Sequence, residues 1–124
     1  MRLTPSAGFA AVILAATTTV LYAQADPTPP QPQIVVSGGD IVVTAQGNTH
    51  VNNQFPWYVK DGTGAKVKQL PDFSFTGGSA TAPTVAAVHG APATGTLRGG
   101  YCQETGCFTF TASCTASSCT ITGT

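Results

Sequence analysis

The hydrophobic rhythm of the chain changes once. Residues 7–22 are apolar almost without a break, interrupted only by Thr17-Thr18-Thr19. From Gln33 onward the apolar positions come in short β-branched or alternating runs, separated by glycine- and proline-rich breaks. That second rhythm belongs to strands, because side chains of an extended chain point alternately to opposite faces. Ile34-Val35-Val36 and Ile41-Val42-Val43 flank Ser37-Gly38-Gly39-Asp40, a tight turn suited to positive φ. Phe55–Lys60 predicts a third strand. Pro56 places it at an edge or a strand start, since proline donates nothing to a ladder. On this strand Phe55 and Trp57 would share one face and Tyr58 would take the other. Asp61–Gly64 reads as a hairpin loop, Ala65–Leu70 as a half-buried strand, and Asp72–Thr76 as a strand with Phe73 and Phe75 on one face. Pro83 and Gly90 hold Thr84–His89 to strand length, and Thr96–Cys102, Cys107–Ser113 and Ser118–Thr122 complete the set. No amphipathic helical pattern follows residue 33. Eight or nine short strands, with turns roughly every 8–12 residues, predict an all-β antiparallel sandwich.

The first rhythm predicts a secretory signal peptide over residues 1–25. Arg2 precedes an apolar run of sixteen residues, and Ala23-Gln24-Ala25 supplies an A-x-A cleavage signal. The rival is an uncleaved anchor, but a spanning helix needs roughly 20 apolar residues. Residues 26–33, Asp-Pro-Thr-Pro-Pro-Gln-Pro-Gln, then form a proline-rich linker, extended because proline fixes φ and lacks the N–H. The β-domain is expected over 34–124. The product is expected in the periplasm or outside the cell, with no stable membrane anchor after cleavage.

Charge narrows the partners. After residue 25 the chain carries Lys60, Lys66, Lys68 and Arg98 against Asp26, Asp40, Asp61, Asp72 and Glu104, a net charge of −1. No basic run occurs, and neutralising phosphates needs clustered Lys and Arg, so nucleic acid is an unfavoured partner. With six Phe, three Tyr and one Trp, the core of such a domain is thin, and covalent staples would support it.

The four cysteines all lie within Cys102–Cys119, as two C-x4-C units, Cys102/Cys107 and Cys114/Cys119. In an exported chain they read as two disulfides. Local pairing, 102–107 and 114–119, follows if each four-residue interval is a hairpin loop that sets its cysteines face to face. The rival is nested pairing, 107–114 with 102–119, which would fold Phe108-Thr109-Phe110 into a tight loop although it reads as a straight strand. Structural staples are the expected role. A zinc site is disfavoured by the oxidising compartment. A catalytic dithiol prefers C-x-x-C beside a helix N-terminus. An exposed hairpin-tip disulfide, by contrast, suits thiol–disulfide exchange with a partner.

Other chemistry is sparse. His50 and His89 show no ligand spacing, so they are expected at turns or on the surface, with no metal and no cofactor. Phe55, Trp57 and Tyr58 suit core packing better than an exposed binding platform. No nucleophile elbow or phosphate-binding glycine loop is present, and no enzyme activity is expected beyond thiol chemistry.

Two stretches carry a resemblance: His50-Val-Asn-Asn-Gln-Phe-Pro-Trp57, and Gly99-Gly-Tyr-Cys-Gln-Glu-Thr-Gly-Cys107. Together they resemble secreted bacterial proteins similar to the immunoglobulin-like N-terminal domain of periplasmic thiol–disulfide interchange proteins, over about residues 40–122. The resemblance implies an immunoglobulin-like sandwich of about eight strands, with Cys102 and Cys107 matching that family's paired cysteines on neighbouring strands. Cys114 and Cys119 have no counterpart in it. Three functions follow in order. The first is a secreted module acting through protein contacts, the second an exchange domain using Cys102 and Cys107. The third is a structural or adhesive surface subunit, suggested by the Thr/Gly/Ser-rich, low-charge composition, which leaves little charge to guard edge strands.

Overall fold

A computed structural model describes residues 29–124, so the expected signal segment 1–25 and the first linker residues lie outside the described residues. Among the described residues, ten strands occur in the order β1 (Gln33–Ser37), β2 (Asp40–Thr44), β3 (His50–Val51), β4 (Tyr58–Asp61), β5 (Lys66–Gln69), β6 (Phe73–Thr76), β7 (Val85–Val88), β8 (Thr94–Gln103), β9 (Gly106–Thr115) and β10 (Cys119–Gly123). They form two antiparallel sheets, β1-β2-β7-β6 and β10-β9-β8-β4-β5, with β3 also paired to β8. This is the expected all-β sandwich, two sheets packed face to face.

Most predicted runs are strands, with three differences. Phe55–Trp57 lies outside any strand, and the ladder resumes at Tyr58, past Pro56, as proline chemistry requires. His50–Val51 forms a short strand that its polar surroundings conceal. Leu70–Asp72 is a 3₁₀ turn, closed by Asp72 Oδ2 accepting from Gln69 N at 2.9 Å. Upstream, Pro29 and Pro32 are buried and Pro30 lies against Gly47, so residues 29–32 run along the domain.

The core lies between the sheets. Ile41, Val43, Phe73, Ala86 and Val88 come from the four-stranded sheet, and Val51, Val59, Leu97, Tyr101, Phe110 and Ala112 from the six-stranded one. These are alternate positions of their strands, so the period-two pattern places them. Trp57 sits at the centre, 1% exposed, with ring centroids 5.4 Å from Phe73, 5.8 Å from Phe75 and 5.7 Å from Phe110. Tilted and edge-on contacts of this kind add to the area buried.

The β8–β9 hairpin is the spine of the larger sheet, paired from Thr94↔Thr115 to Gln103↔Gly106. Its other edge carries β4 opposite Gly95–Arg98 and β3 opposite Tyr101–Cys102. Between them, residues 52–57 leave the ladder, and Gly99 and Gly100 make room. A Cβ on Gly99 would meet the Trp57 ring at 2.5 Å, and one on Gly100 would meet Phe55 at 3.2 Å. Adjacent strand positions face opposite ways, so Trp57 and Phe55 lie on opposite faces of β8, not on one face as a regular strand would place them.

Two predictions follow from this packing. Gly99→Val should destabilise the domain by about 1–3 kcal/mol through overpacking, seen in urea unfolding followed by the fluorescence of Trp57. Gly106→Ala, where a Cβ meets nothing within 4 Å, should change the midpoint little. The second concerns the β4–β5 loop, where Asp61 Oδ1 accepts from Thr63 Oγ1 at 2.6 Å, Thr63 N at 2.9 Å and Ala65 N at 3.2 Å. The Thr63 side-chain hydrogen bond, followed by its backbone N–H, holds the Asp61 carboxyl below its ordinary value. A depressed folded-state pKa contributes stability above the unfolded value, about 3.9, which is lost as pH falls through the folded value. Asp61→Asn should therefore flatten the acid-side decline of stability below about pH 4 and leave its slope near neutrality unchanged, as read by thermal melts across pH.

Candidate functional site

The two disulfides form as the local pairs, 102–107 and 114–119. Each joins directly opposed residues, Cys102↔Cys107 across β8 and β9 and Cys114↔Cys119 across β9 and β10, with Cα atoms 4.0 Å apart in both. Such short spacing belongs to the pairs of an antiparallel ladder that exchange no backbone hydrogen bonds, ideally ~4.5 Å apart. The turns are tighter than four residues: Gln103 pairs with Gly106, and Thr115 N donates to Ser118 O at 2.7 Å, leaving Glu104-Thr105 and Ala116-Ser117 at the tips.

The two bonds differ in the face they occupy. Cys107 and Cys114 lie seven positions apart on β9, an odd spacing, so they project from opposite faces. Cys114 shares its face with Phe110 and Ala112, is 4% exposed and belongs to the core, with Cys119 packed against it. Cys107 lies on the outer face and is exposed, while its partner Cys102 is covered. The same parity excludes a 107–114 bond.

His50 completes the outer site. It stands directly opposite Cys102, as Val51 stands opposite Tyr101, so His50, Cys102 and Cys107 form one row across β3, β8 and β9. Opposed residues of an antiparallel pair project from the same face with Cβ atoms about 5 Å apart. The three line a cleft of about 290 Å³, which Asn53 and Thr81 also line. The cleft wall is fixed by hydrogen bonds. Asn52 N donates to Gly100 O at 2.9 Å, Trp57 Nε1 to Asn52 O at 2.6 Å, Gln54 N to Asn52 Oδ1 at 3.0 Å, and Asn53 Nδ2 to Ala80 O at 3.1 Å. Buried Trp57 thus anchors the segment that carries His50. The sequence left His50 as an isolated surface histidine, because no local spacing reveals a register partner fifty-two positions away.

His89 lies elsewhere, on the outer face of the four-stranded sheet, where its Nδ1 contacts Asp40 Oδ1 beside a second cleft of about 260 Å³ that Asp72 also lines. Among the described residues, no group of three or more His, Cys, Asp or Glu side chains is placed to hold a metal ion. The aromatic trio is split: Trp57 is core, while Tyr58 faces outward with Lys66 Nζ 4.5 Å and Lys60 Nζ 5.3 Å from its ring centroid. Arg98, opposite Tyr58, donates to Thr111 Oγ1 at 2.5 Å and Thr109 Oγ1 at 3.3 Å and lies 6.0 Å from the Phe55 ring. Scattered in sequence, Lys60, Lys66 and Arg98 therefore gather on one face, a cationic cluster where the sequence shows no basic run. Two disulfides in a β-sandwich are the mark of an oxidising compartment. Comparison of the chain with protein-family models, with curated proteins and with solved structures finds no match.

Proposed function

We propose that this disulfide-stabilised β-sandwich is an exported thiol–disulfide exchange domain, with Cys102–Cys107 as the working bond and Cys114–Cys119 as a staple. The observation that carries this reading is the asymmetry of two otherwise equivalent bonds. One faces the core; the other has Cys107 exposed, lining a cleft, in line with a histidine. Redox-active sulfurs need access and a neighbour that stabilises thiolate, and buried sulfurs are inert. The resemblance to the N-terminal domain of interchange proteins supports the same pair, and it left Cys114 and Cys119 unexplained, which the core placement now accounts for.

The exposure of Cys107 supports one order for the sulfurs. A partner thiolate attacks Cys107 Sγ, the accessible atom. A bond forms between the partner sulfur and Cys107, the Cys102–Cys107 bond breaks, and its electron pair leaves on Cys102 as a thiolate beside His50. A protonated imidazole there stabilises that charge and can deliver its proton. The partner's second thiolate then attacks its own sulfur in the mixed disulfide and releases the Cys107 thiolate, which takes up a proton. The partner dithiol becomes a disulfide, and the domain gains two electrons and two protons. Run in reverse, the reduced domain reduces a partner disulfide. His50 acts on the leaving sulfur, and Asn52, Trp57 and Gly100 position it.

Equilibration of the protein with glutathione buffers, followed by alkylation and peptide mapping, tests the reading. Cys102 and Cys107 should be labelled together at a potential above about −250 mV, with Cys114 and Cys119 protected below about −300 mV. If both bonds lie below about −300 mV, the exchange reading falls, and a module acting by contact alone remains. His50→Ala should slow reduction by a small thiol and lower the potential of the 102–107 bond, because the reduced form loses its stabilising neighbour; a shift of about 30 mV corresponds to about 1.4 kcal/mol. The potential of the 114–119 bond should not move.

A further inference from the structure

The outer face of the six-stranded sheet holds a second feature beside the disulfide. Positions 98, 100 and 102 of β8 face the same way, opposed by Thr111, Thr109 and Cys107. Arg98 thus lies four residues from Cys102 along one strand, about 13 Å at the strand rise. Gly100, between them, bears no side chain, and Phe55 packs over it as an apolar shelf. Lys60 and Lys66 lie beyond Arg98, on β4 and β5, around the Tyr58 ring.

Rings and hydroxyls neighbour these cations, and among the described residues no carboxylate pairs with them. The neighbours are two aromatic rings and two threonine hydroxyls. Among the described residues the ion pair present is His89–Asp40, on the other sheet. Asp61, next in sequence to Lys60, is turned into its own loop by Thr63 and Ala65. Asp40 and Asp72 lie beside the cleft of the four-stranded sheet, and Glu104 lies at the hairpin tip, on the far side of the disulfide from Arg98. Along the outer face the charge therefore runs from positive at β4–β5, past the disulfide, to negative at the tip.

We infer that this face docks an acidic segment of the partner protein, laid along β8 so that carboxylates about four extended residues from the reacting cysteine meet Arg98, Lys60 and Lys66. The inference rests on the exchange reading of Cys102–Cys107. It adds the chemistry of the partner and the direction in which it lies. Opposite charge on a docking surface acts mainly on orientation and association rate, which suits an encounter that must release its partner after each exchange.

Synthetic peptides test it. One pair carries two aspartates four and five residues before or after a single cysteine, and a matched pair carries serines there. The rate at which each reduces Cys102–Cys107 is measured at low ionic strength and in about 0.5 M salt, where charge steering is screened. One of the acidic peptides should react roughly tenfold faster than its serine match at low salt and lose that advantage in high salt. The ratio should fall towards one in Lys66→Gln and in Lys66→Gln/Arg98→Gln. It should persist in Lys68→Gln, whose side chain reaches towards Gly90 instead. Circular dichroism checks that each variant is folded. Equal rates for acidic and serine peptides, with the bond reacting, would overturn the docking inference and leave exchange intact. A bond inert to every peptide would overturn the exchange reading. Fluorescence anisotropy of the acidic peptides with cysteine replaced by serine then decides docking separately: binding weakened by Lys66→Gln upholds it, and no binding sinks it. Preference for a sulfated polysaccharide over the acidic peptides would assign the face to a glycan and overturn it as well.

Discussion

The alternation of side chains along β9 is the constraint on which the rest depends. The two C-x4-C units are the same device: a two-residue turn, a directly opposed cysteine pair, and Cα atoms 4.0 Å apart. Nothing in their local sequence makes one face outward and the other inward. The difference is the odd interval between Cys107 and Cys114, which sends one bond into the core with Phe110 and Ala112 and the other to the outer surface. An interval one residue longer or shorter would put both bonds on the same face.

The outer bond acquires its surroundings from a second constraint, the room around Gly99 and Gly100. Glycines in mid-strand weaken a ladder by leaving nothing to pack. Here their bare backbone is filled from both sides, by Trp57 within the core and Phe55 on the surface. Both residues belong to the segment between β3 and β4, which departs from the edge of β8 and returns to it. The indole N–H of Trp57 caps the carbonyl of Asn52, so core packing of one aromatic ring fixes the backbone next to His50. The histidine's place opposite Cys102 is therefore a consequence of how the core is filled.

Much of the fold was legible in the sequence because strand alternation and turn chemistry are local. The β-branched pairs around Gly38-Gly39, the Asp61–Gly64 loop and the long cysteine-bearing strands all lie where their patterns place them. The local disulfide pairing was legible for the same reason. What escaped notice depends on register between distant segments. His50–Val51 has no strand pattern of its own and becomes a strand only because β8 offers it an edge. Phe55–Trp57 looked like strand by composition, but the two glycines of β8 gave its rings better places off the ladder. Lys60, Lys66 and Arg98 form no charge run, yet cross-strand pairing gathers them on a single face.

The same architecture makes a redox cycle at the hairpin tip compatible with a stable domain. A disulfide closing so short a loop removes little chain entropy from the unfolded state, about 2 kcal/mol on the entropic model. β8 and β9 remain joined through the ladder from Thr94↔Thr115 to Gln103↔Gly106, and Val51 and Tyr101 beneath the site stay in the core. Opening the outer bond would free the exposed Cys107 and the covered Cys102 on the outer face, away from the packing between the sheets. Opening the inner bond would place two thiols against Phe110, Ala112 and Ile121 in an apolar space where a thiolate is costly. The cost of a thiolate in that space therefore resists reduction of the inner bond. The parity of a single strand is therefore sufficient to set one staple into the core and the other disulfide on the outer face.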